Sequence, residues 1–514
     1  MANLKSLAKD TAVYGMSSIV GRFLNYLLVP LYTAVIPAAS GGYGIVSNVY
    51  AYTAFILVFL TFGMETGFFR FANKSEYDPD KVYQTALTFV GTLALLFVVL
   101  CMTFLTGISS FLEYPDHKDY VGMMIIVVAL DSFQCIPFAY LRYKKRPFKF
   151  AGIKLLNIVG NITLNLFFLL LCPWLDVHAH NLISWFYRPD YLVGYIFVSN
   201  LMMSTLQMLF FIPEFKVLAK KKTYTESTPH SQKPSLFTFH SSLLTSMIAY
   251  SFPILIFGLA GILNQTVDKM IYPHLFVDRQ EGLVQLGIYS AASKIAMVMA
   301  MFTQAFRYAY EPFVFGKSKD KDSNKTYAAA MKYFFIFSML AFLTVMFYMD
   351  IIRYLVASDY WQGLIVVPIV MGAEIFKGIY FNLSFWYKLT DKTSWGAYFS
   401  IIGCVIILAL NVWLVPRYGY VASAWASFTG YGTITLLSYF IGQKKYPVSY
   451  PLKDMAKYLL IAAALYIVAI IVPFGNNWLK LAFNTLLLLL FVSYIVKKDL
   501  PLRSIPIINR FVKK

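Results

Sequence analysis

The chain has 514 residues, of which 59% are hydrophobic and 13% are charged. A typical soluble domain has about 45–50% apolar and about 25% charged residues, so this composition excludes an ordinary soluble protein. A net charge of +19 indicates nucleic-acid binding in a soluble chain, but in a membrane protein its meaning depends on where the cations lie. Residues 1–10 are polar and no small-residue cleavage site follows the first apolar run, so we expect a retained first helix.

Fourteen apolar runs are long enough to cross a membrane, because a spanning helix needs about 20 apolar residues. They lie at about 11–36, 43–71, 82–106, 119–141, 148–171, 190–212, 242–271, 283–310, 327–349, 363–386, 395–415, 419–441, 454–473 and 476–496. With the first residue in the cytoplasm, most of the 44 Lys and Arg residues fall in inner connections, as the positive-inside rule requires. The charge therefore mainly reports topology, and both termini are predicted to be cytoplasmic.

A weak internal repeat divides the runs into two sets. The segment 43–47 is similar to 286–290, and 62–71 is similar to 306–315 at nearly the same offset. We therefore predict an all-α integral membrane protein of about fourteen helices with a parallel repeat. The predicted parts are an N-terminal lobe 1–213 with spans 1–6, a cytoplasmic linker 214–241, a C-terminal lobe 242–441 with spans 7–12, and 442–514 with spans 13 and 14 and a basic tail.

Arg22 is a charge near the middle of predicted span one. A charged side chain at the bilayer centre costs about 2.5–3.5 kcal/mol on insertion scales, so such residues tend to face protein or water. Thr11, Gly15, Ser18, Arg22 and Asn25 follow helical spacing and form one polar stripe. The stripe is predicted to line an aqueous cavity, and an interhelical hydrogen-bonded seam is the alternative.

Further cations lie in spans two and eight. Arg70 stands with Glu65 toward the inner end of span two, and Lys294 and Arg307 lie in span eight. For Arg70, snorkelling to the membrane surface is a competing interpretation. Because cations outnumber acids in spans one, two and eight, we predict an anionic, phosphate-bearing substrate, which Arg binds through forked donors and Lys as a point charge.

Three acidic residues inside predicted spans are candidates for ion coupling: Asp131, Asp268 and Glu374. Asp131 has no local partner, so it is a candidate proton or cation site, with a partner on another helix as the alternative. Glu374 lies three residues before Lys377, a spacing that favours a local ion pair on one helix face.

The sequence lacks the motifs that mark ATP hydrolysis, metal binding and disulfide formation. Gly316-Lys317-Ser318 has Glu311 where a phosphate-binding loop needs Gly, so we expect no ATP hydrolysis. His178 and His180 lack further ligands and are read as surface residues, and the four Cys residues are read as apolar packing residues. No cofactor, metal or nucleic acid is predicted. The predicted outer loops are short, so we expect a protein that is not an enzyme, with a membrane glycan polymerase as the alternative from another class.

Several short motifs occur in a characteristic order. They are TAVYGMSSIVGRFLNYLLVPLYTAVI followed by GGYG, the N-x-x-x-D of Asn264 and Asp268, LGIYSAASKIA (286–296), QAFRYAYEPFVFG (304–316) and VPRYGYVASAWAS (415–427). In these features the chain resembles the Wzx-like polysaccharide and O-antigen flippases of the multidrug/oligosaccharidyl-lipid/polysaccharide exporter superfamily.

The resemblance implies two six-helix lobes around a central cavity, with spans 13 and 14 added. It implies a cargo of oligosaccharide linked to undecaprenyl diphosphate, moved by alternating access from the inner to the outer leaflet of a bacterial cytoplasmic membrane. The diphosphate would contact Arg22, Asn25, Arg70, Lys294 and Arg307. Implied partners are membrane lipids and the glycosyltransferases or polymerase of the same pathway. A lipid II flippase and a drug/cation antiporter of the same superfamily are the alternatives.

Overall fold

The structure is a computed structural model that describes residues 20–21, 23–219, 241–317, 323–390 and 392–499. Within these ranges the chain forms helices joined by short turns, and no strand is present. It divides into two compact units, residues 1–287 (unit 1) and 288–514 (unit 2). The all-helical membrane fold predicted from the sequence is confirmed, whereas the predicted lobe boundaries and the repeat stay predictions.

Unit 1 is built of long apolar helices, as expected for segments that satisfy their own backbone hydrogen bonds in lipid, together with several short helices. In chain order they are α1 (Leu28–Val35), α2 (Gly42–Thr61), α3 (Met64–Ala72), α4 (Pro79–Thr103), α5 (Leu105–Phe111), α6 (Lys118–Tyr143), α7 (Pro147–Leu166), α8 (Cys172–His178), α9 (His180–Ile183), α10 (Leu192–Leu209), α11 (Ile212–Ala219), α12 (Ser241–Ile271) and the start of α13 (Arg279–Lys317). A π-helical turn, Phe167–Leu171, joins α7 to α8. Short 3-10 helices lie at Ala38–Ser40, Pro189–Tyr191 and Tyr272–Leu275.

Unit 2 contains the rest of α13 and eight further helices in its described ranges. These are α14 (Ser323–Phe347), α15 (Met349–Ile352), α16 (Val367–Leu383), α17 (Phe385–Leu389), α18 (Ser394–Tyr418), α19 (Tyr420–Lys445), α20 (Leu452–Ile471) and α21 (Asn477–Lys498). Two 3-10 helices, Arg353–Leu355 and Ser358–Val366, precede α16.

Twelve helical stretches of the described chain are long and apolar enough to cross a membrane. Predicted span one falls short of this set because residues 11–19 and 22 lie outside the described ranges. Predicted span twelve corresponds to α19, a helix of 26 residues in which Gly, Ser and Thr dilute the apolar residues. The protein is therefore a multi-pass membrane protein, and the predicted number of fourteen spans stays a prediction.

Predicted span two is broken into α2 and α3. Phe62 and Gly63 have φ angles of 53° and 67°, in the left-handed region that interrupts an α-helix. The Phe62 ring packs edge-on against Phe89 with centroids 5.3 Å apart, which helps to hold this unfavourable conformation. One continuous helix was expected over this span, and the break at these two residues instead divides it into two helices.

Helix α2 approaches the start of α13 unusually closely within unit 1. A Cβ atom on Gly44 would overlap the carbonyl oxygen of Leu283, and one on Gly287 would lie 3.1 Å from the Gly44 nitrogen. Glycine is thus required at Gly44 because only a bare Cα fits against the facing backbone. Gly44 and Gly287 are the glycines of the two similar segments noted in the sequence, although this contact leaves the repeat itself untested.

An ionic network fastens α20 and α21 to α14 in unit 2. The Lys332 Nζ atom lies 2.6 Å from Asp499 Oδ1 and 3.2 Å from Asp454 Oδ2. Lys498 approaches the other Asp454 oxygen at 3.0 Å, and the Tyr458 hydroxyl donates to Asp499. The side chains of Lys332 and Asp499 are only 18% and 9% exposed, so the pair is largely shielded from water.

Candidate functional site

Arg70 is the best-defined candidate cation of unit 1. It lies on α3 and is exposed, with its guanidinium carbon 4.3 Å from the centroid of the Tyr250 ring on α12. In the described ranges no carboxylate forms an ion pair with it. Lys74 follows one helical turn later, exposed, with its Nζ 5.1 Å from the Phe71 ring and 5.9 Å from the Tyr77 ring. Two cations that lie over aromatic rings are therefore found in the last turn of α3 and just beyond its end.

The direction of α3 is held by a buried aromatic cluster. Phe68 is fully buried and packs edge-on against Tyr83 and Tyr143. Phe71 is 5% exposed and contacts Tyr250 edge-on, with ring centroids 6.1 Å apart. The ring that carries Arg70 is thus fixed by the packing of its neighbours, which orients the guanidinium before any ligand arrives.

Glu65, the acid predicted near Arg70, is paired elsewhere. It accepts a hydrogen bond from Arg142 at the end of α6, and these side chains are 42% and 31% exposed. Arg142 also lies over the Phe69 ring at 5.0 Å. Because Glu65 neutralises Arg142, the positive charge of Arg70 remains available at this end of unit 1.

Unit 2 has a similar arrangement around Phe381 on α16. The Arg307 guanidinium carbon lies 5.1 Å from the centroid of that ring, and Lys388 on α17 places its Nζ 4.7 Å from the same ring. Lys294 lies half-buried in α13. Lys388 was not predicted from the sequence, because it falls just beyond the predicted end of a span, where cations ordinarily act as surface anchors.

The three acidic candidates have different surroundings. Glu374 lies 3.2 Å from Lys377, which confirms the predicted ion pair, and Asp268 is 3% exposed and lies 3.4 Å from Lys269. Asp131 accepts a hydrogen bond of 2.8 Å from the Ser204 hydroxyl on α10. Their roles in ion coupling stay predictions, and so does the role of Asn25, which is exposed. Arg22 lies outside the described residues.

A polar network that sequence reasoning missed lies at the opposite, predicted outer end of unit 1. Glu113 forms ion pairs with His274 and Arg279, with 3.1 Å between Oε1 and His274 Nδ1 and between Oε2 and Arg279 Nε, and has a left-handed φ of 61°. Arg279 lies 4.3 Å from the Tyr114 ring. Burial raises the pKa of Tyr114, so its hydroxyl stays protonated and donates to Asn48 Oδ1 at 2.8 Å. The network ties α2 to the turns that flank α5 and α13.

Comparison with known protein families identifies the relationship. The sequence model of the family described as "Polysaccharide biosynthesis protein" matches residues 7–309. The chain belongs to this family. This membership confirms the resemblance to polysaccharide flippases predicted from the sequence motifs. No curated protein matches the chain.

Solved structures of membrane transporters share the fold. A lipid II flippase MurJ in an inward closed conformation matches with a TM-score of 0.68 at 16% identity, over 95% of this chain and 99% of that one. An inward-facing multidrug resistance MATE family transporter of the MOP superfamily matches with a TM-score of 0.60 at 11% identity, over 84% of this chain and 95% of that one. At these identities the likeness establishes the fold alone, which is that of a membrane transporter.

Proposed function

We propose that this member of the polysaccharide biosynthesis family is a flippase for oligosaccharide linked to undecaprenyl diphosphate. The observation that carries the proposal is Arg70, an exposed guanidinium whose carbon lies over the Tyr250 ring. A guanidinium lying over a ring keeps its N–H edge available, and that edge matches the oxygens of a phosphate through two parallel hydrogen bonds. A diphosphate is therefore the part of the cargo that Arg70 is suited to bind.

The arrangement in unit 2 supports the same chemistry. Arg307 and Lys388 both rest on Phe381, and Lys294 is half-buried on the same helix as Arg307. In the proposal these cations bind the diphosphate as the transporter passes between its inward- and outward-open states. A cationic drug would be repelled by the same groups, so the antiporter alternative is disfavoured.

The proposal also includes the membrane in which the protein acts and the proteins that work with it. The cargo moves from the inner to the outer leaflet of a bacterial cytoplasmic membrane, for export of polysaccharide of the O-antigen or capsule type. Both termini face the cytoplasm, as the charge bias of the connections favours. The protein carries out transport rather than catalysis, and it works beside the glycosyltransferases or polymerase that make and extend the cargo.

A flipping assay in proteoliposomes tests the proposal. Fluorescent undecaprenyl-diphosphate oligosaccharide is supplied on one side, and its initial rate of appearance in the other leaflet is measured at subsaturating concentration. Hydrogen bonds to charged groups contribute about 1.5–3 kcal/mol, so Arg70→Gln is expected to reduce the rate by about 10- to 100-fold, and Arg70→Lys by less.

Lys81→Gln is the matched control, because Lys81 is an exposed cation at the start of α4 and its loss changes the net charge equally. Its rate is expected to equal that of the wild type. A wild-type rate for Arg70→Gln, at equal amounts of reconstituted protein, would remove Arg70 from the cargo site. Transport of a cationic dye in place of the lipid would overturn the proposed cargo class.

A further inference from the structure

Asp131 is a carboxylate placed where a membrane protein tolerates few charges. It lies in the middle of α6, a helix apolar enough to span the membrane, and a charge kept at that depth needs compensation. Its carboxylate accepts a 2.8 Å hydrogen bond from the Ser204 hydroxyl. Over the ranges that the structure describes, no Lys or Arg forms an ion pair with it, so a neutral hydroxyl is its partner there.

Gln134 adds a buried side-chain oxygen that has no hydrogen-bond partner among the described residues. It lies one turn after Asp131 on α6, is 1% exposed, and donates through Nε2 to the main-chain oxygen of Ser204 at 2.9 Å. Its Oε1 atom is buried and accepts no hydrogen bond from the described residues. Buried polar atoms are nearly always satisfied, so an exception needs an explanation, and a bound ion or water is one that fits a buried oxygen. Both Asp131 and Gln134 thus converge on Ser204, which is 5% exposed.

The helices packed against α6 bring few other charges toward Asp131. The charged residues on these helices in the described ranges are Glu65 and Arg70 on α3, Asp80 and Lys81 on α4, and Lys149 and Lys154 on α7, with none on α2 or α10. Lys154 lies well inside α7, with its Nζ over the rings of Phe138 and Phe150. On α6 itself they are Lys118, Asp119 and Arg142, and the uncharged titratable groups away from the helix ends include Tyr50 and Tyr52 on α2 and Cys135 on α6. Among the described residues of these helices, none supplies a cation that pairs with Asp131, which leaves room for a bound cation to compensate it.

We propose that Asp131, Gln134 and Ser204 form a binding site for one small monovalent cation, either a proton or Na⁺. The available donors are a carboxylate, an amide oxygen and a hydroxyl, which are the oxygen ligands that hard cations prefer. One carboxylate balances one positive charge, which selects a monovalent over a divalent ion. The site supplies a coupling ion for transport, a role that rests on the proposed flippase function, whereas the binding of the ion does not.

Thermal unfolding of the purified full-length protein in lipid nanodiscs tests the Na⁺ arm. At pH 8, NaCl replaces choline chloride at constant ionic strength, and Tm is recorded without any cargo. An ion that binds the native state alone raises Tm in a saturable way. The rise is expected in the wild type and absent in Asp131→Asn. In Ser204→Ala, the Na⁺ concentration that gives half of the rise in Tm is expected to increase about tenfold or more, because the substitution removes a hydrogen bond to a charged group.

The proton arm repeats the measurement without Na⁺ from pH 8 to pH 5. If the native state binds the proton at Asp131, the wild type gains Tm relative to Asp131→Asn as the pH falls. Asp116→Asn is the control, because Asp116 is an exposed loop carboxylate, and it should behave as the wild type in both arms. A response to Na⁺ or to pH that depends on Asp131 supports the site and names its ion.

Equal responses of the wild type and Asp131→Asn in both arms would overturn the site. If Asp131→Asn does not fold, Ser204→Ala decides: an unchanged Na⁺ midpoint together with an unchanged pH profile overturns the proposal. Because no cargo is present, either result leaves the flippase proposal standing. A failed flipping assay likewise leaves this site untouched.

Discussion

The contact between Arg70 and Tyr250 predicts a measurable coupling between the two residues in transport. If the ring orients the guanidinium for the diphosphate, then Tyr250→Leu should weaken cargo recognition in the presence of Arg70 and should matter less once Arg70→Gln has removed the cation. The double variant therefore completes a double-mutant cycle, which isolates the pair from unrelated effects of each change.

The size of the coupling follows from the geometry. Arg70 is exposed and its guanidinium carbon lies 4.3 Å from the ring centroid, and cation–π contacts at exposed sites contribute about 0.5–1 kcal/mol. That free energy corresponds to a factor of about 2–5 in rate at subsaturating cargo. Tyr250→Leu alone should therefore lower the flipping rate by about 2- to 5-fold, well short of the loss expected for Arg70→Gln.

The assay is the flipping rate of the four proteins in proteoliposomes, each normalised to the amount of protein inserted. Tyr77→Leu serves as the control ring, because it lies beside Lys74 at 5.9 Å, and its effect should simply add to that of Arg70→Gln. If the effects of Tyr250→Leu and Arg70→Gln are also additive, the ring does not orient the cation, and the reasoning from the stacked geometry is wrong.

Two further predictions concern stability and are read from Tm in detergent. Gly44→Ala forces a Cβ against the backbone of α13 and should lower the free energy of unfolding by about 1–3 kcal/mol. Gly152→Ala is the control and should not destabilise the protein, because a Cβ at Gly152 meets nothing within 4 Å. Equal losses of stability in the two variants would contradict the close crossing of α2 and α13. Lys332→Met leaves Asp499, whose side chain is 9% exposed, without its cation and should cost about 3–5 kcal/mol. Lys498→Met, at 31% exposure, should cost about 1 kcal/mol or less, and a loss as large as that of Lys332→Met would refute the ranking.

Contacts within one helix were accessible from the sequence because their spacing is fixed by helix geometry. Glu374 and Lys377 are three residues apart on one helix, so their ion pair was predicted and is confirmed. The pair of Glu65 and Arg142 joins helices whose relative rotation the sequence leaves undetermined. The partner of Asp131 on α10 was inaccessible for the same reason, and only the general alternative of a partner on another helix was foreseen.

The apolar runs located the helices well but not their interruptions. Hydropathy averages over about 20 residues, so a two-residue break such as that at Phe62 and Gly63 disappears in the average. The Gly63 glycine was a local signal for a left-handed residue, but Phe62 gave none. The outer network of Glu113, His274 and Arg279 lies in short connections, where hydropathy carries no information about which loops meet.

The π-helical turn at Phe167–Leu171 has a consequence for how relatives are aligned. A π turn closes its hydrogen bond over one residue more than an α turn, and it typically arises from the insertion of a single residue into a continuous helix. A relative with an uninterrupted helix here should therefore have one residue fewer between Leu166 and Cys172. An alignment without a single-residue gap in this stretch would compare every later position of the helix with the wrong neighbour, by about 100° around its axis.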